Sequence, residues 1–155
     1  EVEVAIDRYA NTVNRICMTY LKNYHDTEDI FQTVFLKYAQ STESFESREH
    51  EKAWIIRVTV NACKDLLKSF FRSKTVPIET VLNRYECLDE GSSQVLEAVL
   101  SLPEKYRVPI YLHYYEGYTA PEIGSILNKN TNTVYTLLNR AKQILQTELR
   151  GEHFA

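Results

Sequence analysis

The chain has 155 residues, 44% of them hydrophobic and 25% charged, so it can form one ordinary globular domain or two small ones. It has no apolar run of about 18 residues and no secretory signal pattern, which predicts a cytoplasmic protein with no membrane span. The formal net charge of −3 is not typical of a DNA-binding protein. Residues 48–74, however, carry seven Lys and Arg against three Asp and Glu, which favours one basic surface.

Apolar residues at helical spacing predict three helices in the first half of the chain. The first covers residues 2–24. Asp26, with Asp29 three residues later, is the expected N-cap of the second. A polar loop follows over residues 41–48, and the third helix is expected over residues 51–71.

One line of the second helix points away from its apolar face. Asp29, Gln32 and Leu36 follow an i, i+3, i+7 pattern, and Glu28 lies beside them. An apolar side chain among acids and an amide is typical of a protein-binding surface. An ordinary solvated helix face gives the same spacing, so both interpretations stay open here.

The third helix carries a second line, which coincides with the basic block. An aromatic ring that stacks on a base, beside cations that follow phosphates, suits single-stranded DNA. The alternative is a tryptophan that only fills the core and lysines that are only solvated. The residues of this line, which we call the basic stripe, are Trp54, Arg57, Asn61, Lys64 and Lys68.

The second half of the chain is also helical and follows a predicted linker over residues 74–91, which contains Pro77 and acidic residues. Near the C-terminus, Thr119 and Glu122 form a capping-box pattern that opens a short helix. The segment 128–130 makes a turn, and Thr131 is the expected cap of the next helix. Two helices joined in this way are typical of a helix-turn-helix, whose second helix enters the major groove.

The outward residues of that second helix are the candidate DNA-reading residues, because its other face is apolar. A plain helical hairpin with a solvated polar face is the alternative. The candidates are Asn132, Thr133, Tyr135, Thr136, Asn139, Arg140 and Lys142.

No residue pattern indicates a catalytic site, a metal site or a cofactor. The three cysteines lack zinc-ligand spacing, so Cys17 and Cys63 are expected to be buried free thiols, and Cys87 falls in the linker. The four histidines are scattered, and there is no glycine-rich phosphate loop. An enzyme is therefore not expected.

Taken in order, these motifs resemble the ECF (extracytoplasmic function) group of bacterial RNA polymerase sigma factors across nearly the whole chain. The segment 26–35 (DTEDIFQTVF) resembles the group's polymerase-binding helix. Residues 54–57 (WIIR) with Asn61 and Asp65 resemble its promoter-melting helix, and 102–107 (LPEKYR) with 114–119 (YYEGYT) resemble its C-terminal helix-turn-helix domain.

The resemblance implies an all-α protein with two small domains, residues 1–73 and 92–155, joined by the linker 74–91. It implies that Asp29 and Gln32 contact core RNA polymerase and that the basic stripe engages the −10 element of promoter DNA. The loop over about residues 41–49 would capture a flipped base, and the helix-turn-helix would read the −35 element. An anti-sigma factor is the further partner that it implies.

The chain departs from the group at Tyr135 and Leu137, where basic residues are frequent, and at Asn139, where histidine is frequent. Fewer phosphate partners follow from these differences. Two rival functions stay open: a stand-alone helix-turn-helix regulator, and a sigma-like protein that has lost promoter activity.

Overall fold

The computed structural model describes residues 1–72 and 94–154, and every element in these ranges is helical, which confirms the predicted fold class. The described residues form two compact units, one on each side of the gap. The predicted linker 74–91 and Cys87 lie outside the described residues. The N-terminal unit contains α1 (Val2–Leu21), α2 (Tyr24–Gln40) and α3 (Arg48–Arg72); the C-terminal unit contains α4 (Gln94–Ser101), α5 (Glu104–Ile110), a π-helical turn (Tyr111–Tyr115), α6 (Ala120–Leu127) and α7 (Thr131–Phe154).

The three helices of the N-terminal unit all pack against one another. Ile16, Val34 and Ile56, one from each helix, are fully or almost fully buried. The expectation for two of the cysteines is confirmed: Cys17 and Cys63 are buried thiols outside any disulfide, with sulfur atoms 3.9 Å apart where α1 meets α3. This core fixes which faces of α2 and α3 remain at the surface.

A polar contact also joins the three N-terminal helices. The Glu51 carboxylate on α3 accepts hydrogen bonds from the Arg8 guanidinium on α1 at 3.0 Å and from the Tyr38 hydroxyl on α2 at 3.1 Å. Burial alone raises the pKa of the Glu51 carboxyl, but hydrogen bonds from Tyr9, Tyr38 and Arg8 lower it by more, so the net pKa lies below its ordinary value. Glu51 is therefore held ionised between its partners.

In the C-terminal unit, α7 packs against α4, α5 and α6. Its buried side chains include Val134, Leu138 and Ala141, which agrees with the expectation that one face of this helix is apolar. Leu112 in the π-helical turn and Ile123 on α6 are fully buried. These contacts hold the two helices of the helix-turn-helix as one body, with the opposite face of α7 left to solvent.

Three helix starts differ from the sequence predictions. The cap of α2 is Asn23 and not Asp26, because the Asn23 side chain accepts a hydrogen bond from the backbone N–H of Asp26 at 3.1 Å. Helix α3 begins at Arg48, three residues early. Asn130, and not Thr131, caps α7: its side chain accepts from the Asn132 N–H at 2.9 Å. The differences at α2 and α7 are choices between neighbouring capping residues, and the earlier start of α3 is a boundary shift of a few residues; local spacing decides neither.

The helical segment that begins at Glu104 changes geometry partway. Residues 111–115 form a π-helical turn, in which the Glu116 N–H bonds the carbonyl of Tyr111. The chain then turns at Gly117, whose φ of +80° is a conformation that glycine adopts at little cost. The turn delivers Thr119 to the start of α6.

Candidate polymerase and nucleic-acid interfaces

The predicted protein-binding line on α2 lies wholly at the surface. Glu28, Asp29 and Gln32 are exposed, and Leu36 is 59% exposed, which is high for a leucine. The opposite face of α2, with Ile30, Val34 and Phe35, is buried in the core, and this packing leaves the line at the surface. The line presents two carboxylates, an amide and an apolar side chain together.

The loop between α2 and α3, residues 41–47, is held by an aromatic cluster that sequence spacing did not reveal. The Phe45 ring stacks on Tyr38 at 6.1 Å and meets Trp54 edge-on at 5.6 Å between centroids. His50 also meets Phe45 edge-on, at 5.5 Å. Phe45 is the lone aromatic residue in an otherwise polar loop, and that was the available signal.

Hydrogen bonds fix both ends of this loop. At its start, the Glu43 N–H bonds the Ser41 hydroxyl at 3.0 Å. At its end, the Glu46 N–H bonds Nδ1 of His50 at 3.2 Å, and the His50 N–H bonds the Ser47 hydroxyl at 3.1 Å. The loop borders an open cleft of about 480 Å³, whose other lining includes α1 side chains. A loop with an ordered backbone beside a cleft is suited to holding an extruded group.

The basic stripe on α3 is divided by the structure. Arg57, Asn61 and Lys68 are exposed on one side of the helix, whereas Trp54 and Lys64 are half-buried. Trp54 also contacts Tyr38, with ring centroids 6.1 Å apart. The three exposed residues therefore form an open polar and cationic surface, and Trp54 forms its boundary with the loop.

The helix-turn-helix has the capping geometry that its sequence predicted. The Thr119 hydroxyl accepts from the Glu122 N–H at 3.4 Å, and the Glu122 carboxylate accepts from the Thr119 N–H at 3.1 Å. Hydrogen bonds from the Thr119 backbone and then its hydroxyl lower the pKa of Glu122. Asn128 takes the left-handed conformation, with φ of 55°. At Gly124 an added Cβ would lie 2.6 Å from the Lys129 carbonyl oxygen, so the turn packs directly on the backbone of α6.

All seven candidate DNA-reading residues of α7 are exposed. Tyr135 is 52% exposed, whereas Leu137 is only 9% exposed and belongs to the core. The Lys142 ammonium lies 5.4 Å from the centre of the Tyr114 ring, which comes from the π-helical turn. Because Leu137 is buried, having leucine at this position removes no cation from the exposed face of α7. Tyr114 adds an aromatic side chain to the rim of this face.

Within the described ranges, no group of three or more His, Cys, Asp or Glu side chains is placed to hold a metal ion. The same part of the chain contains no helix long and apolar enough to cross a membrane.

Comparison with known proteins gives matches over both units. A family model described as Sigma-70 region 2 matches residues 5–72, and one described as Sigma-70, region 4 matches residues 92–145. The RNA polymerase sigma factor SigV of Bacillus subtilis is 31% identical, over 89% of this chain and 84% of its own length. The ECF RNA polymerase sigma factor SigW of the same organism is 26% identical, over 94% and 87% of the two chains.

Two solved structures share the fold. The sigma factor RpoE of Bartonella quintana, in complex with the anti-sigma factor NepR, matches with a TM-score of 0.76 and 18% identity, over 96% of each chain. CnrH, in complex with the cytosolic domain of CnrY, matches with a TM-score of 0.67 and 19% identity, over 97% of this chain and 88% of its own.

Proposed function

Because this chain belongs to the ECF group of sigma-70 family RNA polymerase sigma factors, we propose how its parts divide the work of promoter recognition. The protein is an alternative sigma factor that directs transcription initiation. We assign polymerase binding and the −10 element to residues 1–73, a tether to residues 74–91 and the −35 element to residues 92–155. The observation that carries this division is the pair of separate helical units, each with its own exposed polar face.

The α2 line of Glu28, Asp29, Gln32 and Leu36 is the proposed contact with core polymerase. Its support is the exposure of Leu36 among acidic and amide groups, since an exposed apolar side chain surrounded by polar residues is suited to a protein partner. The acids would pair with basic side chains of the polymerase at the edge of that contact.

The basic stripe and the 41–47 loop are the proposed −10 site. Arg57 and Lys68 would follow phosphates of the unpaired strand, and the loop would hold an extruded base at the neighbouring cleft. Binding the separated strand more tightly than the duplex shifts the equilibrium toward open DNA, so melting needs no nucleotide hydrolysis. These are binding roles, and no reaction is assigned to any residue.

The negative net charge of the chain is a reason for its two units to contact promoter DNA together, each of them weakly. Cation–phosphate contacts supply most non-specific DNA affinity, so a factor with net charge −3 should bind free duplex poorly. Joining two reading units on one polymerase raises the effective concentration of the second site once the first is engaged. The polymerase thus determines when the factor meets DNA.

Two further expectations follow from the family. RpoE is in complex with the anti-sigma factor NepR and CnrH with the cytosolic domain of CnrY, and we propose that an anti-sigma factor also sequesters this chain. We also propose a cytoplasmic location, where core polymerase and chromosomal DNA are found.

A gel-shift titration distinguishes this function from that of a stand-alone helix-turn-helix regulator. Labelled genomic duplexes are mixed with the chain alone, with core polymerase alone and with both. A sigma factor should give sequence-specific complexes only when both are present. Tight, specific binding by the chain alone would support the regulator instead.

A further inference from the structure

We infer that α7 reads A·T base pairs, with Asn132 and Asn139 on adenines and with Thr136 and Tyr135 against thymine methyl groups. This inference rests on the proposed function, because it specifies what the C-terminal unit recognises. It depends on where the exposed polar and charged side chains lie around the axis of α7.

The centre of the exposed face of α7 carries no charge. At 100° per residue, Asn132, Thr136, Asn139 and Gln143 lie within about 60° of one another around the helix axis. All four are exposed, and the opposite side holds the buried residues Val134 and Ala141. The line facing the partner therefore consists of three amides and one hydroxyl.

The cations lie on the two flanks of this line. Arg140 is about 80° to one side and Lys142 about 80° to the other, which places them toward the two walls of a groove rather than its floor. Tyr114 stands against the Lys142 ammonium at 5.4 Å and restricts it to that rim. Cations so placed meet backbone phosphates, which orient a helix without selecting a base.

The chemistry of the central line favours one class of base pair. Guanine is recognised mainly by Arg or Lys, whereas an Asn side chain makes paired hydrogen bonds with N6 and N7 of adenine. The Asn132 side chain is at the helix start, where recognition helices touch base edges, and Asn130 rather than Asn132 supplies the cap. Asn132 is therefore available to a base, and no cation precedes Arg140 on this helix.

Thr136 and Tyr135 add apolar surface beside the amides. The Thr136 hydroxyl donates to the Asn132 carbonyl at 3.0 Å, so its proton is used within the helix and its methyl group is left to the groove. Tyr135 is 52% exposed and lies on the same side as Lys142. Apolar groups in the major groove contact the thymine methyl, which only A·T pairs carry.

The test is selection from a randomised duplex library by the full chain bound to core polymerase, with sequencing of the retained DNA. We expect an upstream block rich in A·T pairs. Asn132→Ala should reduce the adenine preference at one position of that block by about tenfold, the usual discrimination of a paired hydrogen bond. Tyr135→Arg should bring guanine into the block. Gln146→Ala removes an exposed amide from the same face about 10 Å beyond Asn139 and should leave the preferences unchanged.

A guanine-rich upstream block, or one that Asn132→Ala leaves unchanged, would overturn this inference while the proposed function stands. Equal retention with and without polymerase would overturn the proposed function, and the base preferences would still test the inference. If the chain retains no sequence under either condition, both are overturned.

Discussion

The Phe45 ring meets the Trp54 indole edge-on, 5.6 Å between centroids, and so connects the 41–47 loop to the basic stripe. Stacking on Tyr38 completes the cluster. Trp54 thus has a structural contact as well as the DNA contact proposed for its helix. Two surfaces that the sequence presents as separate therefore adjoin in the N-terminal unit.

Phe45→Ala is the first prediction. Loss of the ring should release the loop from Tyr38 and Trp54, so that an extruded base is captured less often. We expect fewer open complexes in permanganate footprinting with holoenzyme formation unchanged, and a shift in the fluorescence of Trp54, the single tryptophan. Tyr115→Ala, which removes an exposed ring from the C-terminal unit outside the proposed sites, is the control. Normal melting by Phe45→Ala would show that the loop has no part in opening.

The second prediction concerns the exposed cations of the basic stripe. Arg57→Gln with Lys68→Gln keeps helix propensity and removes two charges from the surface proposed to follow the unpaired strand. Closed complexes should form normally, open complexes should fall by about tenfold, and a pre-melted template should recover part of the activity. Arg15→Gln, at an exposed position of α1, is the control. If the double variant melts linear promoters normally, the stripe is only a solvated face.

The third prediction tests the α2 line. Asp29→Ala with Gln32→Ala should weaken binding to core polymerase by about tenfold, or about 1.4 kcal/mol, without loss of helicity, because both side chains are exposed. Asp7→Ala with Asn11→Ala makes the same kind of change on the exposed face of α1 and should have no effect. Fluorescence titration with core polymerase measures both. If the two double variants bind core polymerase with equal affinity, the α2 line is not the polymerase contact.

The fourth prediction is a pH dependence of stability. The folded state lowers the pKa of Glu51, so its stabilising contribution is complete above the ordinary value of 4.5 and is lost as pH falls through the lower folded value. Urea midpoints followed by Trp54 fluorescence should therefore drop as the pH falls below about 4.5. The Glu51→Gln variant should show a smaller drop over the same window. Identical pH profiles for the two proteins would mean that the carboxylate is not stabilised by Arg8 and Tyr38.

Helical spacing was sufficient to predict the fold class and most of the exposed positions, because a helix that buries one stripe must expose the other, but Trp54 and Lys64 of the basic stripe are half-buried. Arg57 and Asn61 illustrate this, since periodicity alone placed them at the surface. Phe45 could not be assigned in the same way, because its position depends on a loop folding back onto residues of two helices. The caps at Asn23 and Asn130 were missed because several nearby residues have similar capping ability. The roles of the site residues remain predictions.

Run-off transcription with purified core polymerase and genomic DNA fragments tests the central claim most directly. Polymerase alone should produce only background, and addition of the chain should produce discrete transcripts from a small set of fragments. The start sites should share two conserved blocks, one for each helical unit. If the chain binds polymerase but yields no specific transcript, it is not an initiation factor, whatever its fold.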